Sequence, residues 1–128
     1  MFIGHYALAF GAKQYAPAVS LGTLFVACQF ADLLWPTLVV LGIERVEVDP
    51  GNTAMTPLNF ISYPYSHSMV MLVIWSALFA LAYRVIKGWR PNAMAAIATL
   101  VFSHFVLDFV THRPDLPLTL GGTRRVGL

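Results

Sequence analysis

Residues 103–112 read S-H-F-V-L-D-F-V-T-H and place three ionisable side chains, His104, Asp108 and His112, in an otherwise apolar segment. Because the three stand four residues apart, an α-helix stacks them along one face. The apolar segment begins at Pro91 and is 22 residues long through His112, which is long enough to cross a bilayer. An ionisable stripe on a membrane helix costs free energy and rarely faces lipid, so the stripe indicates a functional site.

The composition of the whole chain agrees with a membrane protein. The 128 residues are 58% hydrophobic and only 11% charged, whereas a soluble domain carries about 25% charged residues. We therefore predict a single transmembrane helical domain over residues 1–128. The net charge of +2 is too small and too scattered for a protein that binds nucleic acid. Cys28 is the only cysteine, which excludes a disulfide within the chain.

A second apolar segment, residues 16–43, precedes a polar connection that covers residues 44–64. At about 1.5 Å per residue this segment exceeds the ~30 Å core of a bilayer, which predicts tilt or a kink. Pro36 supplies the kink, since a proline ring clashes with the carbonyl four residues earlier. That carbonyl belongs to Asp32, so the distortion is expected beside the one acidic residue of this helix.

The remaining long helix is predicted to begin near Ser66 and to end near Tyr83. Ser66 is a suitable N-cap, which would place His67 at the first helical position. The positive end of a helix disfavours a protonated imidazole, so His67 is expected to be neutral and able to coordinate a cation. The chain thus has three long helices that alternate in direction.

A short N-terminal helix is expected within residues 2–12, which are apolar apart from His5. If this helix inserts antiparallel to the next one, His5 reaches the membrane face at which the third long helix ends. The predicted fold is therefore an all-α membrane bundle of three long transmembrane helices and a short N-terminal helix. All four histidines and both mid-helix aspartates are predicted to converge near one membrane face: His5, Asp32, His67, His104, Asp108 and His112.

The opposite face carries Lys13, Arg84, Lys87 and Arg90, and such basic residues mark the cytoplasmic side. The predicted site then opens to the extracytoplasmic side. Neutral imidazoles and carboxylates are the ligands of Zn²⁺ and similar divalent metals. Six candidates exceed what one zinc needs, which leaves room for two metals that activate water and polarise a phosphoryl or acyl oxygen. A site at the interface also suits a lipid or lipid-linked substrate.

Four short motifs resemble those of a known family. They are Gly4-His5, the intramembrane Asp32, Ser66-His67-Ser68, and the pattern formed by Ser103, His104 and Asp108. The set resembles the membrane-bound metal-dependent hydrolases, among them the LexA-regulated inner-membrane hydrolases, which are distantly similar to zinc phospholipase C and the P1-type nucleases. The chain departs from the family pattern at Leu34, Trp35 and Ser62, where relatives carry an aspartate and two histidines.

The resemblance implies a metal site in the bacterial inner membrane and hydrolysis of a phosphoester or lipid substrate. It implies that the ligands come from His5, Asp32, His67, His104 and Asp108. We expect His67, His104 and Asp108 to be the primary ligands, Asp32 a ligand or general base, and His5 and His112 supporting ligands. Because related chains continue with further helices past the position of Leu128, the chain is either this domain alone or the N-terminal part of a longer protein.

Other functions fit the same residues. One alternative is a non-catalytic accessory subunit of a larger membrane complex, in which the stripe of ionisable residues forms a polar contact between helices. A pigment- or haem-binding bundle would use an intramembrane histidine such as His104 as an axial ligand. A proton or ion pathway through Asp32, Asp108 and the histidines is a further alternative. An alternative role for His112 alone is that of a protonated side chain that stabilises the negative C-terminal end of the helix.

Overall fold

A computed structural model of the protein describes residues 2–53 and 56–128. Over these residues the chain is mostly helical and has five helices with two small antiparallel strand pairs. The helices are α1 (Phe2–Tyr15), α2 (Leu21–Val40), α3 (Pro64–His67), α4 (Met69–Lys87) and α5 (Pro91–Thr111). The strands are β1 (Arg45–Val48), β2 (Leu58–Ser62), β3 (Leu116–Pro117) and β4 (Arg125–Val126).

Three of these helices, α2, α4 and α5, are long and apolar enough to cross a membrane. α5 is the central one, since it packs against α1, α2 and α4 and carries the longest series of buried side chains. Its inner face combines small and large apolar residues, such as Ala96 and Leu100, with His104 and Asp108. The predicted combination of three long helices with a short N-terminal helix is therefore present, and the strand pairs are additional to the all-α prediction.

The start of α4 corrects the prediction for this region. Ser68, and not Ser66, is the N-cap, and its hydroxyl accepts a hydrogen bond from the Met71 amide at 3.2 Å. His67 is consequently the last residue of the short helix α3 and not the first residue of the long one. The sequence Ser-His-Ser offers two suitable caps two residues apart, and because Ser66 lies within α3, Ser68 is the one that caps α4.

The first long helix is shorter than predicted. α1 extends to Tyr15, and a turn then leads to Ser20, whose hydroxyl caps α2 by accepting from the Thr23 amide at 3.1 Å. Lys13 holds this turn, because its ammonium donates to the carbonyls of Pro17 and Val19 at 2.8 and 2.7 Å. Pro36 lies inside α2.

The polar connection between α2 and α3 forms a β-hairpin that the sequence did not predict. Strand β1 pairs antiparallel with β2, with an irregularity in the register between Arg45 and Val46. A turn at residues 49–52 lies between the two strands, since the Asn52 amide donates to the Asp49 carbonyl at 3.1 Å and Gly51 has a φ of 91°. After α5, strands β3 and β4 pair with one another. Both strand pairs lie at the end of the bundle where His67 and His112 are found.

A candidate metal centre

The structure brings together every side chain that the sequence predicted as a ligand. They lie on α1, α2, α3 and α5 and on the residue that directly follows α5: His5, Asp32, His67, His104, Asp108 and His112. His5, His104 and Asp108 form one group whose donor atoms lie within 4.8 Å of one another. A second such group contains Asp32, His67 and His104. Groups of this composition and spacing are suited to hold a divalent metal ion.

Asp108 is the hub of the cluster, because all four histidines direct Nε2 toward its carboxylate. Oδ1 lies 3.3 Å from Nε2 of His5 and 3.9 Å from Nε2 of His112. Oδ2 lies 3.2 Å from Nε2 of His104 and 3.8 Å from Nε2 of His67. The two oxygens of one buried carboxylate therefore face two different pairs of imidazoles.

Asp32 supplies the second carboxylate. Its Oδ1 lies 3.5 Å from Nε2 of His67 and 3.6 Å from Nε2 of His104. The Asp32 side chain is 23% exposed, whereas that of Asp108 is only 3% exposed. Asp32 is thus the carboxylate of the cluster that solvent or a substrate can reach, as a general base requires.

The separations between the donor atoms match those of ligands around a shared ion. Two atoms that each lie about 2.1 Å from a tetrahedral Zn²⁺ are about 3.4 Å apart. Among the described residues, Nε2 of His104 and both ring nitrogens of His5 are buried without a hydrogen-bond partner. A buried polar group without a hydrogen bond is costly, and a cation between these nitrogens and the carboxylates would offset that cost.

A backbone carbonyl fixes the tautomer of His104. Its Nδ1 lies 2.9 Å from the carbonyl oxygen of Cys28, which can only accept a hydrogen bond. Nδ1 therefore carries a proton, and Nε2 is the ring nitrogen that faces Asp32 and Asp108. This arrangement, with a carbonyl on the far nitrogen, is usual for histidines that bind metals.

His67 is oriented by a buried carboxylate that the sequence did not single out. Its Nδ1 lies 2.7 Å from Oγ of Ser66, and Ser66 Oγ donates to Oε2 of Glu44 at 2.6 Å. Oε1 of Glu44 accepts from the backbone amides of Tyr65 and Ser66 at 2.8 and 2.9 Å. With its own proton given to Glu44, the Ser66 hydroxyl accepts from Nδ1–H of His67 and leaves Nε2 free to coordinate.

The carboxylate of Asp115 orients His112, as Glu44 orients His67. Its Nδ1 lies 3.3 Å from Oδ1 of Asp115, which also accepts from the Tyr63 hydroxyl at 2.9 Å. Oδ2 of Asp115 accepts from Nε of Arg113 at 3.2 Å. Burial and the charge of Asp115 raise the pKa of Tyr63, so the hydroxyl remains a donor. His112 is the C-cap residue of α5, but its ring points to Asp108 and Asp115.

Replacing Asp115 by asparagine should destabilise the protein at neutral pH by about 1–3 kcal/mol, because three donors lose a charged acceptor. Burial raises the pKa of Asp115, but the bonds from His112, Tyr63 and Arg113 outweigh it and hold that pKa below its usual value. The carboxylate therefore stabilises the fold above its unfolded pKa of about 3.9, and this stabilisation is lost as the pH falls through the folded pKa.

Thermal unfolding in detergent from pH 7 to pH 3 measures this effect. The difference in stability between wild type and Asp115→Asn should shrink below about pH 4, since the wild-type carboxyl then becomes neutral as well. Asp49→Asn makes the same change in an exposed turn and should have no effect. A difference that stays constant down to pH 3 would contradict the assignment.

A cavity of about 700 Å³ adjoins the cluster. Asp32, His67, Asp108 and His112 of the cluster are among its lining residues. The other walls combine apolar and polar side chains, among them Trp35, Leu58, Phe60, Thr53, Thr56, Thr111 and Arg113. Trp35 and Phe60 are in ring contact at a centroid distance of 5.3 Å, so α2 and the hairpin share one apolar wall. Trp35 and Phe60 were not among the residues that the sequence predicted for the site.

Arg113 ties the hairpin to the end of α5 beside the cavity. Its Nη1 donates to Oδ1 of Asn52 at 2.7 Å, and its Nη2 donates to Oδ1 of Asn59 at 2.8 Å. Arg125 adds a bond from Nη2 to the Ile61 carbonyl at 2.7 Å. The hairpin is thus attached to the end of α5 and to the C-terminal segment through polar contacts at the protein surface.

No known protein family, curated protein sequence or solved structure matches this chain. The functional assignment therefore depends on the arrangement of the side chains and on the cavity beside them.

Proposed function

We propose that the protein is a membrane-embedded hydrolase that uses a divalent metal, with Zn²⁺ the best fit to its ligands, to cleave a phosphoester or lipid-linked substrate at the membrane interface. The observation that supports it most is the placement of His67 and His104 opposite the carboxylates of Asp32 and Asp108, beside a large cavity. His67, His104 and Asp108 would supply three ligands of one zinc ion, which leaves its fourth position open to water or substrate, as a catalytic site requires.

Each of these residues has a defined task in the proposed site. Nε2 of His67 and Nε2 of His104 bind the ion, since Ser66 and the Cys28 carbonyl occupy their other ring nitrogens. Asp108, almost fully buried, offsets the charge of the ion. Asp32 lies at the cavity and either binds the ion or accepts the proton of the attacking water. A bound divalent metal lowers the pKa of water and polarises the substrate oxygen.

The cavity supports the choice of substrate class. Trp35, Leu58 and Phe60 form an apolar surface for an acyl or isoprenoid chain, and Arg113 at its side carries a positive charge suited to a phosphate. The three apolar helices suggest a membrane protein by composition, and the inner membrane, with the site on the extracytoplasmic side, is our proposal for its location. Membrane lipids would then be its immediate surroundings and a source of substrate.

The test is metal analysis combined with an activity assay on the detergent-purified protein. We expect bound zinc or manganese near stoichiometry, hydrolysis of aryl phosphodiesters or of short-chain phospholipids in mixed micelles, loss of activity with a chelator, and recovery when the metal is restored. Protein that binds no metal after reloading would refute the proposal. Stoichiometric partner subunits would then support the accessory role, and visible absorbance would support a pigment or haem.

A further inference from the structure

We propose that the end of the bundle away from the candidate metal centre binds an anionic membrane phospholipid, whose phosphate lies in a small basic cavity. The inference is independent of the proposed hydrolysis, because it concerns other residues at the opposite ends of the helices. The cavity has a volume of about 380 Å³. It lies between the turn that joins α1 to α2 and the turn that joins α4 to α5.

The walls of this cavity combine cationic, polar and aromatic side chains. Tyr15 at the end of α1 and Ala18 in the first turn line one side, and Trp89, Arg90 and Asn92 line the other. Tyr15 and Trp89 are exposed, and exposed aromatic residues concentrate where a membrane meets water. A guanidinium group and an amide are suited to bind the oxygens of a phosphate. The cavity therefore offers the chemistry of a headgroup site where two membrane-length helices end and begin.

The distribution of charge carries the argument furthest. Arg84 and Lys87 lie in the last turn of α4, and Arg90 directly precedes α5. Within the described part of the chain, none of these three cations forms a salt bridge. All six acidic residues lie in the metal-centre cluster or in the segments that follow α2 and α5: Asp32, Glu44, Glu47, Asp49, Asp108 and Asp115. Positive charge without acidic partners beside a bilayer attracts anionic lipids.

Contacts within the second turn already orient two of these cations. The guanidinium carbon of Arg84 lies 5.1 Å from the centre of the Trp89 ring, as in a cation–π contact. Nε of Arg90 donates to the Lys87 carbonyl at 3.3 Å. Lys13, the fourth basic residue at this end, donates instead to two carbonyls of the first turn. The cations that face an incoming anion are thus those of the turn between α4 and α5.

The surface of α4 favours a lipid over a soluble anion or an acidic protein segment. α4 is the least buried of the three long helices, and its last turns expose Leu81, Val85 and Ile86. A phospholipid places its acyl chains along this apolar surface while its phosphate lies in the cavity. Free phosphate or an acidic peptide would leave the apolar surface uncovered. Basic pockets between transmembrane helices are typical sites for anionic headgroups.

Lipid titration of the detergent-purified full chain, measured by native mass spectrometry, tests the inference. Phosphatidylglycerol and phosphatidylcholine with identical acyl chains are the anionic and the neutral probe. Wild type should bind one phosphatidylglycerol and prefer it about tenfold. Lys87→Gln/Arg90→Gln should lower the affinity for phosphatidylglycerol by about 30-fold, because each cation near the membrane surface contributes about fivefold. Arg45→Gln/Arg124→Gln removes the same charge from exposed positions at the other end and should keep the wild-type affinity.

A variant that keeps the charge separates binding in the cavity from a diffuse attraction. Ala18→Trp fills the cavity from an exposed position and should weaken phosphatidylglycerol binding by a similar factor. Excess inorganic phosphate should not displace the lipid. The proposal fails if phosphatidylcholine binds as tightly as phosphatidylglycerol, or if folded Ala18→Trp binds the lipid like wild type. Displacement of the lipid by inorganic phosphate would also overturn it, since the cavity would then be a site for a free anion.

Discussion

Replacing Asp108 by asparagine should greatly weaken metal binding and abolish hydrolysis at ordinary metal concentrations. The substitution hardly changes the size of the side chain, but it removes the one negative charge that faces Nε2 of all four histidines. Removing one partner from a buried charged cluster costs about 3–5 kcal/mol. Because each 1.4 kcal/mol is a factor of ten, the affinity for the metal should fall by about two to four orders of magnitude.

The measurement is a competition titration of Zn²⁺ between the protein and a chelating dye, followed by the hydrolysis assay on the same preparations. Asp49→Asn is the matched control, since it makes the identical change in an exposed turn away from the cluster. A folded Asp108→Asn protein that keeps wild-type affinity for the metal would show that Asp108 belongs to a structural polar seam.

Glu44→Gln should weaken metal binding by about 10–100-fold although Glu44 contacts no proposed metal ligand directly. Oε2 of Glu44 accepts the Ser66 hydroxyl proton, and Oε1 accepts two backbone amides. A glutamine in either orientation places its amide group against one of these donors. If Ser66 turns to donate to Nδ1 of His67, the proton of the imidazole moves to Nε2, where it blocks coordination. Losses of this size are typical for partners that orient a metal ligand.

Two readouts separate this effect from a general loss of stability. The ¹⁵N resonances of the His67 ring report its tautomer, which should change in Glu44→Gln, and the same chelator competition reports the affinity. Glu47→Gln is the control, because Glu47 lies exposed on β1 of the same connection. An unchanged His67 tautomer with unchanged metal affinity would show that Glu44 only anchors the backbone at the start of α3.

The sequence allowed the bundle and the convergence of its ionisable residues to be predicted, because both follow from long-range regularities. Helices of membrane length alternate in direction, so His67 and His112 must lie at the same end. The four-residue spacing of His104 and Asp108 places them on one helix face whatever their surroundings. These inferences require no knowledge of how individual side chains pack.

Short-range alternatives and tertiary partners could not be resolved in the same way. Ser66 and Ser68 are equally good caps by residue type, and the choice depends on how α3 packs. Glu44 looked like one of several charges in a polar connection, because only the folded chain buries it against Ser66. Asp115 likewise follows a helix end in a turn-rich tail, and its bond to His112 depends on the path that the tail takes.

The donors of the candidate centre come from α1, α2, α3 and the C-terminal end of α5, whereas α4 provides none of them. A partially assembled chain consequently offers an incomplete set of ligands, and only the finished bundle presents them all at once. Metal binding would then distinguish correctly assembled molecules from misassembled ones. Correctly packed molecules bind the ion and are stabilised by it, whereas those with a misplaced segment bind no ion and stay open to proteolysis.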